Sequence, residues 1–166
     1  PNIGYSNYAR EEYGIKIDTG QLSDVEGKFN VITMFHALEH IPDAVKAFEL
    51  LFNLLEKNGH LLIEVPNIET NDASPHNIYF KAHIHYFSSS TLVSAASKYF
   101  DKIDMVSDSN LRVLFKRKEV VNDLILPSIE RAAKTTMRLQ NKGWLEYIFK
   151  GGGYKKLPLR LNKIFI

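Results

Sequence analysis

Two apolar runs separated by an amphipathic segment constrain the fold of this chain more than any other feature. FNVITMF at residues 29–35 and LLIEV at residues 61–65 are rich in β-branched and aromatic or aliphatic residues, which is typical of buried strands. Between them, apolar side chains recur at helical spacing over residues 42–57, namely Val45, Phe48, Leu51, Phe52 and Leu55. Strand, helix and strand in this order predict a parallel pair within an α/β sheet.

Shorter patterns predict the elements on either side of this unit. We expect a helix over residues 6–13 and a short strand over residues 14–18, where apolar and polar side chains alternate. Residues 67–81 are polar and without periodicity, which predicts a long loop of the kind that often contains functional residues.

The C-terminal half is expected to close the sheet and then to become helical. Ser88 is placed to cap a helix that ends near residue 100. Residues 102–106 and 111–116 predict two strands of an antiparallel hairpin, joined by a Ser-Asp-Ser-Asn turn. From residue 119 onward the pattern is helical, with a break at Pro127.

Composition excludes several classes of protein. With 166 residues, 45% of them hydrophobic and 24% charged, the chain is large enough for one domain with a core and is not intrinsically disordered. It has no cysteine, which excludes a disulfide scaffold, a thiolate zinc site and a cysteine nucleophile. Because that also fits a reducing compartment, we expect a cytoplasmic protein.

Charge divides the chain into an acidic body and a basic tail. Residues 1–110 contain 15 acidic and 8 basic side chains, whereas residues 111–166 contain 13 basic and 4 acidic ones. We therefore expect two regions, residues 1–118 and a basic helical extension over residues 119–166. The tail is a candidate for contact with phosphate, nucleic acid or an anionic membrane, and a solvated helical appendage is an equal alternative.

Four segments of the body resemble one known family. LEHIPD at residues 38–43 follows the first predicted strand, and NGHLLIEVPN at 58–67 contains the second. TGQL stands at residues 19–22 and HIHYFS at 83–88. Together they resemble the class I S-adenosylmethionine-dependent methyltransferases, and more narrowly a group that acts on small molecules, over residues 4–118. The resemblance implies a Rossmann-like sheet with the strand order 3-2-1-4-5-7-6, in which residues 29–35 are strand 4.

One departure from that family is large. No buried strand followed by G-x-G-x-G occurs in the chain, and the acidic residue that holds the cofactor ribose is absent as well. We expect the corresponding strands to lie upstream of Pro1, so the 166 residues by themselves should bind S-adenosylmethionine poorly and be inactive. The inner edge of strand 29–35 would then be open, unless residues 14–18 move over to pair with it.

The resemblance also implies which residues line the cofactor. Gln21 would accept a hydrogen bond from the adenine amino group, and Leu22 would pack on the ring. Phe35 and His36 end the strand where open α/β sheets bind ligands, so they would face the methionine part of S-adenosylmethionine. The alternatives are a plain loop residue for Gln21 and core packing for Phe35.

Three residues of the HIHYFS segment are the candidate catalytic group. His83 and His85 lie on one face of an extended segment because they are two positions apart. Either would act as general base or would orient the acceptor, and Tyr86 would assist by hydrogen bonding. The alternative is that these side chains pin the loop to the sheet. We expect no metal: a site formed with His36 or His40 is disfavoured because no carboxylate stands at a supporting spacing.

The sequence therefore predicts methyl transfer to a small-molecule acceptor, and the polar loop with His83 and His85 favours a hydroxylated one such as a sugar. Nucleic acid is a disfavoured partner, since no Asn/Asp-Pro-Pro-Tyr/Phe segment follows strand 29–35. Peripheral membrane contact through the tail and pairing of two copies of the chain stay open. The alternative is a non-catalytic methyltransferase-like protein that binds a partner or an anionic surface through its basic tail.

Overall fold

A four-stranded mixed sheet forms the centre of the molecule. The computed structural model describes residues 3–74, 79–151 and 153–154. Its strands are β1 (Phe29–Phe35), β2 (Leu55–Pro66), β3 (Phe100–Ser107) and β4 (Asn110–Arg117). They lie in the order β1-β2-β4-β3, with β1 and β2 parallel and the other neighbours antiparallel. The predicted α/β class and C-terminal hairpin are confirmed, and the order corresponds to 4-5-7-6 of the Rossmann-like methyltransferase sheet.

The core lies on one face of this sheet. Two helices, α2 (Ala44–Leu54) and α3 (Ser89–Ala96), pack against alternate residues of β2 and β4. The fully buried side chains of this layer include Leu61, Ile63, Val65, Leu111, Val113 and Phe115 from the strands and Phe48, Leu51 and Leu92 from the helices. The inward-facing side chains of the strands and the apolar faces of the helices therefore form one buried layer. Because a shift of one residue would turn the apolar side chains of a strand toward solvent, this layer fixes the register of β2 against β4.

Strand β1 has the predicted bounds but not the predicted burial. Ile32 and Met34 pack against the core, whereas Val31 is 59% and Phe35 54% exposed. Among the described residues, no strand pairs with the second edge of β1. The strand predicted over residues 14–18 is also wrong: these residues form no strand, because no described neighbour offers them ladder hydrogen bonds.

Helix boundaries follow the local capping chemistry. Asp43 caps α2 by accepting from the Lys46 N–H at 2.8 Å, and Ser88 caps α3 by accepting from the Thr91 N–H. Helix α2 ends at Leu54 instead of residue 57, because the chain turns directly into β2 there. Helix α1 (Ile3–Tyr13) confirms the predicted N-terminal helix with an earlier start.

The extension begins without a helix. Residues 118–128 are irregular, so the helix predicted from residue 119 is wrong; Ser128, directly after Pro127, caps α4 (Ile129–Gln140) instead. A shorter helix, α5 (Trp144–Phe149), follows. The basic and apolar residues predicted to end the tail, 155–166, lie outside the described residues. No helix in the described ranges is long and apolar enough to cross a bilayer.

Candidate functional site

Two segments meet at the carboxyl ends of β1 and β2 and form a polar site. The first follows β1 and contains residues 36–43, and the second contains residues 79–87. The backbone carbonyl of Glu39 accepts from the N–H groups of Ile84 and His85 at 2.9 and 3.0 Å. Ligands of open α/β sheets bind at this end of the strands. The segments that most resemble a known family, LEHIPD and HIHYFS, are thus in direct contact.

Side chains of both segments stabilise this contact through hydrogen bonds. The Nδ1 of His40 donates to the carbonyl of Ala82 and the Nε2 of His85 to that of Pro42, both at 2.9 Å. The hydroxyl of Tyr86 donates to the carbonyl of Phe80 at 2.7 Å. Each of these groups satisfies a backbone acceptor of the loops. Of the three residues predicted as the catalytic group, His85 and Tyr86 are therefore engaged in holding the loops.

His36 adopts a backbone conformation that few residues with a side chain accept. Its φ is +48°, in the left-handed region, at the point where β1 ends. Its Nε2 lies 3.0 Å from Glu64 Oε1, and its Nδ1 lies 3.4 Å from Glu39 Oε1. The hydrogen bond from Arg112 Nε, 2.6 Å from Glu64 Oε2, lowers the pKa of Glu64, and the hydrogen bond from His36 adds to this effect. The ring of His36 thus lies between two carboxylates at the rim of the site.

The side chain of Glu39 is buried without a hydrogen bond. It is 1% exposed, and among the described residues no donor reaches either carboxylate oxygen. The nearest groups are His36 Nδ1 and, at 3.9 Å, His83 Nε2. Burial lowers the pKa of His83, and the negative charge of Glu39 opposes that shift. The His83 ring also packs edge-on to the His40 ring, with 4.9 Å between centroids.

Two connected cavities open beside these segments. A small one of about 170 Å³ is lined by the predicted catalytic residues His83, His85 and Tyr86 together with Phe80 and the segment after β2. A wider cleft of about 540 Å³ shares Asn67 and Thr70 with it and is closed on its far side by Arg131 and Arg138 of α4. The site therefore includes the extension, which the sequence placed in a separate region.

The residues predicted to line the cofactor are spread over two places. Phe35 and His36 lie together at the end of β1, where Phe35 is exposed. Leu22 packs against the core, and Gln21 is exposed in the turn before it, where its backbone N–H donates to Asp24 at 2.8 Å. From its place in LEHIPD, directly after β1, Glu39 is predicted to fix the loop by hydrogen bonds, with a catalytic role as the alternative. Its burial between histidines has no sequence signal besides its place in LEHIPD.

The comparison with family models decides the class of this chain. A model described as "Methyltransferase domain" matches residues 2–99, which include the site segments described above. The chain belongs to this methyltransferase family. The class predicted from LEHIPD and HIHYFS is confirmed. No curated protein sequence matches the chain.

Solved structures show the same fold at low sequence identity. A SAM-dependent methyltransferase from Thermotoga maritima is 16% identical, with a TM-score of 0.54 and coverage of 68% of this chain and 69% of that one. The PH0226 protein of Pyrococcus horikoshii OT3 is 14% identical, with a TM-score of 0.51 and coverage of 68% and 64%.

A further similar structure is the N-methyltransferase NodS of Bradyrhizobium japonicum WM9, in complex with S-adenosyl-L-homocysteine. It is 15% identical, with a TM-score of 0.49 and coverage of 70% of this chain. This chain spans 62% of the length of NodS, so it matches a part of that protein.

Proposed function

We propose that this domain transfers a methyl group from S-adenosylmethionine to a small-molecule acceptor that presents a hydroxyl group. The observation that supports this most is that two groups of residues lie close together at the carboxyl ends of β1 and β2. The exposed Phe35 and the strained His36 end β1. Glu39 Oε1 lies 3.4 Å from His36 Nδ1 and 3.9 Å from His83 Nε2, and His83 lines a small, mainly apolar cavity. A cofactor surface and an acceptor cavity thus lie within one site.

The residues of β1 fit one side of the cofactor. Phe35 offers an exposed aromatic face, and His36 turns the backbone away from the strand where the methionine part would approach. Gln21 and Leu22 are the candidates for the adenine ring. The chain contains no G-x-G-x-G loop, so these four residues are what it offers to the cofactor. When bound, S-adenosylmethionine supplies a sulfonium-activated methyl group.

The small cavity supports a compact acceptor. At about 170 Å³ it has room for a single sugar-sized ring, and its mainly apolar lining, which includes Phe80, carries a few polar groups such as His83. The acceptor oxygen forms a bond to the methyl carbon as the carbon–sulfur bond breaks. The sulfur keeps that electron pair, and the hydroxyl proton leaves to water. The main task of the protein is to hold the oxygen in line with the methyl group.

We assign the orienting role to His83 and supporting roles to its neighbours. His83 lines the cavity, and no described residue within hydrogen-bond reach occupies its ring nitrogens. His85 and Tyr86 hold the loop that presents it, through the carbonyls of Pro42 and Phe80. Because those bonds fix the loop, His85 and Tyr86 act as positioning residues, and their loss would misplace the acceptor.

The test is transfer of labelled methyl groups from S-adenosylmethionine to a panel of hydroxylated small molecules, sugars included, by the protein expressed from the start codon of its gene. We expect turnover of one class of acceptor and a loss of roughly 100-fold in His83→Gln, as for a misaligned reactant. His60→Gln, midway along β2 and outside the lining of both cavities, is the matched control and should keep full activity.

Turnover that survives removal of both His83 and His85 would overturn the assignment of the site. Absence of turnover with every acceptor would favour the non-catalytic alternative. Steeply salt-sensitive binding to RNA or to anionic vesicles would then identify the basic extension as the functional part. Pairing of two copies and a cytoplasmic location stay predictions from the sequence.

A further inference from the structure

The buried carboxylate of Glu39 lacks the contacts that such a group requires. An ionised carboxylate out of water is costly unless it is hydrogen-bonded, ion-paired or bound to a metal. Glu39 is 1% exposed and accepts no hydrogen bond from the described residues, while the nitrogen atoms nearest to it belong to histidines. A cation held by Glu39 and neighbouring histidines would satisfy it.

We propose that Glu39, His40 and His83 bind a divalent ion of the first transition series. One ligand atom from each of the three lies within 4.8 Å of the others. Ligands of such an ion lie about 2.0–2.2 Å from it and so about 3–3.5 Å apart. Because the three side chains come from two loops that are already joined through the Glu39 carbonyl, modest side-chain rotations close this difference.

The hydrogen bonds of the loops prepare the histidines for this role. The Nδ1 of His40 donates to the Ala82 carbonyl, and no described residue hydrogen-bonds to its Nε2, which is the nitrogen that would face an ion. Histidine ligands of metals characteristically use the second ring nitrogen in this way, since the outer bond fixes the ring. His83 is held between Glu39 and the His40 ring, and its ring accepts or donates no hydrogen bond among the described residues.

The donor set indicates the class of ion. Two imidazoles and one carboxylate suit zinc, cobalt, nickel or iron better than magnesium or calcium, which prefer oxygen ligands throughout. Three protein ligands leave coordination positions open, and His40 is exposed, so the ion would be reached from solvent. The sequence argument against a metal was that no carboxylate stands at a supporting spacing. The fold removes that premise, because it places Glu39 between the histidines.

Zinc binding tests the proposal without cofactor or acceptor. Zn²⁺ is titrated calorimetrically into the tag-free, chelator-treated protein, expressed from the start codon of its gene. We expect one ion per chain, and at least a tenfold weaker association in Glu39→Gln and His83→Gln, because each removes one ligand. His60→Gln and Glu56→Gln are the matched controls. They remove a histidine and a carboxylate that lie on β2, away from the proposed ligands, and both variants should bind zinc as the wild type does.

Thermal unfolding separates this site from a buried ion pair. Without metal, Glu39→Gln should unfold at a temperature no lower than the wild type, because it replaces an unsatisfied charge with a neutral amide. Zinc should raise the unfolding temperature of the wild type and not of this variant. The proposal is overturned if zinc binds Glu39→Gln as tightly as the wild type. It is also overturned if no ion binds, and earlier unfolding of Glu39→Gln would then show a His83–Glu39 ion pair. Neither result decides whether the protein transfers methyl groups, because the methyl-transfer assay tests that separately.

Discussion

The sheet of the body with its two covering helices, and the extension after it as described over residues 119–151, are held in place by different contacts. In the body, α2 and α3 cover one face of the sheet with fully buried side chains such as Phe48 and Phe115. Helix α4 of the extension has no buried residue. It contacts the loop after β2 through polar groups: Thr135 donates to Glu69 at 2.9 Å, and Arg138 donates to Asn71 at 2.7 Å.

This difference shows which part of the site is rigid. Apolar burial is worth more per side chain than partly exposed hydrogen bonds, so the body should unfold as one cooperative unit and the extension should detach more easily. The cleft between them contains Arg131 and Arg138 on the extension side and Asn67 on the body side. The small cavity lined by His83, His85 and Tyr86 belongs to the stable body, whereas Arg131 and Arg138 on the far side of the wider cleft belong to the less stable extension.

The largest expected effect comes from truncating the core. Phe115 is fully buried between Phe48 and Phe100, so Phe115→Ala should lower the free energy of unfolding by about 3–5 kcal/mol. Phe149→Ala is the matched variant in the extension, where the side chain is 73% exposed, and should change it by less than about 0.5 kcal/mol. Urea unfolding followed by circular dichroism measures both. Equal effects would show that the two regions form one core.

A smaller effect is expected where the extension meets the body. Thr135→Val removes the hydrogen bond to the Glu69 carboxylate and should cost about 0.5–1.5 kcal/mol locally. Thr136 is the matched control, because its hydroxyl donates to Ala132 within α4. Limited proteolysis should cut Thr135→Val faster near α4 and should leave Thr136→Val unchanged. Faster cleavage of both would mean that helix propensity, not docking, decides the result.

The smallest effect concerns the acid stability of the rim of the site. The pKa of Glu64 is lowered from 4.5 in the folded state, chiefly by the hydrogen bond from Arg112. As pH falls, the unfolded chain therefore takes up this proton first. The resulting stability is complete above pH 4.5 and is lost as pH falls through the folded-state pKa.

Arg112→Gln should make the free energy of unfolding depend less on pH. The urea midpoint, measured at pH values on either side of 4.5, checks this. Lys116→Gln, on the same strand, is the control for the lost positive charge. An unchanged slope in Arg112→Gln would mean that another group holds the pKa of Glu64 down.

The sequence was sufficient where one physical rule dominated. The bounds of β1 followed from β-branched content, the hairpin from its turn, and the start of α3 from Ser88. It was insufficient where a partner decides the outcome. Residues 14–18 alternate like a strand but have no described neighbour, and β1 is apolar yet exposed along one face. The local sequence pattern shows which side chains of a segment could be buried. It does not show whether another strand or helix is present to bury them.

For the site, the sequence predicted the segments but not their contacts. LEHIPD and HIHYFS could be selected from their resemblance to methyltransferases. That the Glu39 carbonyl joins them, and that Glu39 is buried beside His83, depends on pairs of residues more than 40 positions apart. Such contacts arise from loop closure in the folded chain, so no periodicity or motif spacing reveals them.

The carboxyl end of β1 is the proposed cofactor surface, on which the proposed methyl transfer depends. Calorimetric titration of S-adenosylhomocysteine into the protein expressed from the start codon of its gene tests it directly. We predict one site per chain, with roughly tenfold weaker binding in Phe35→Ala and wild-type binding in Phe29→Ala, the matched aromatic at the opposite end of the same strand. No binding, or equal losses in both variants, would contradict it.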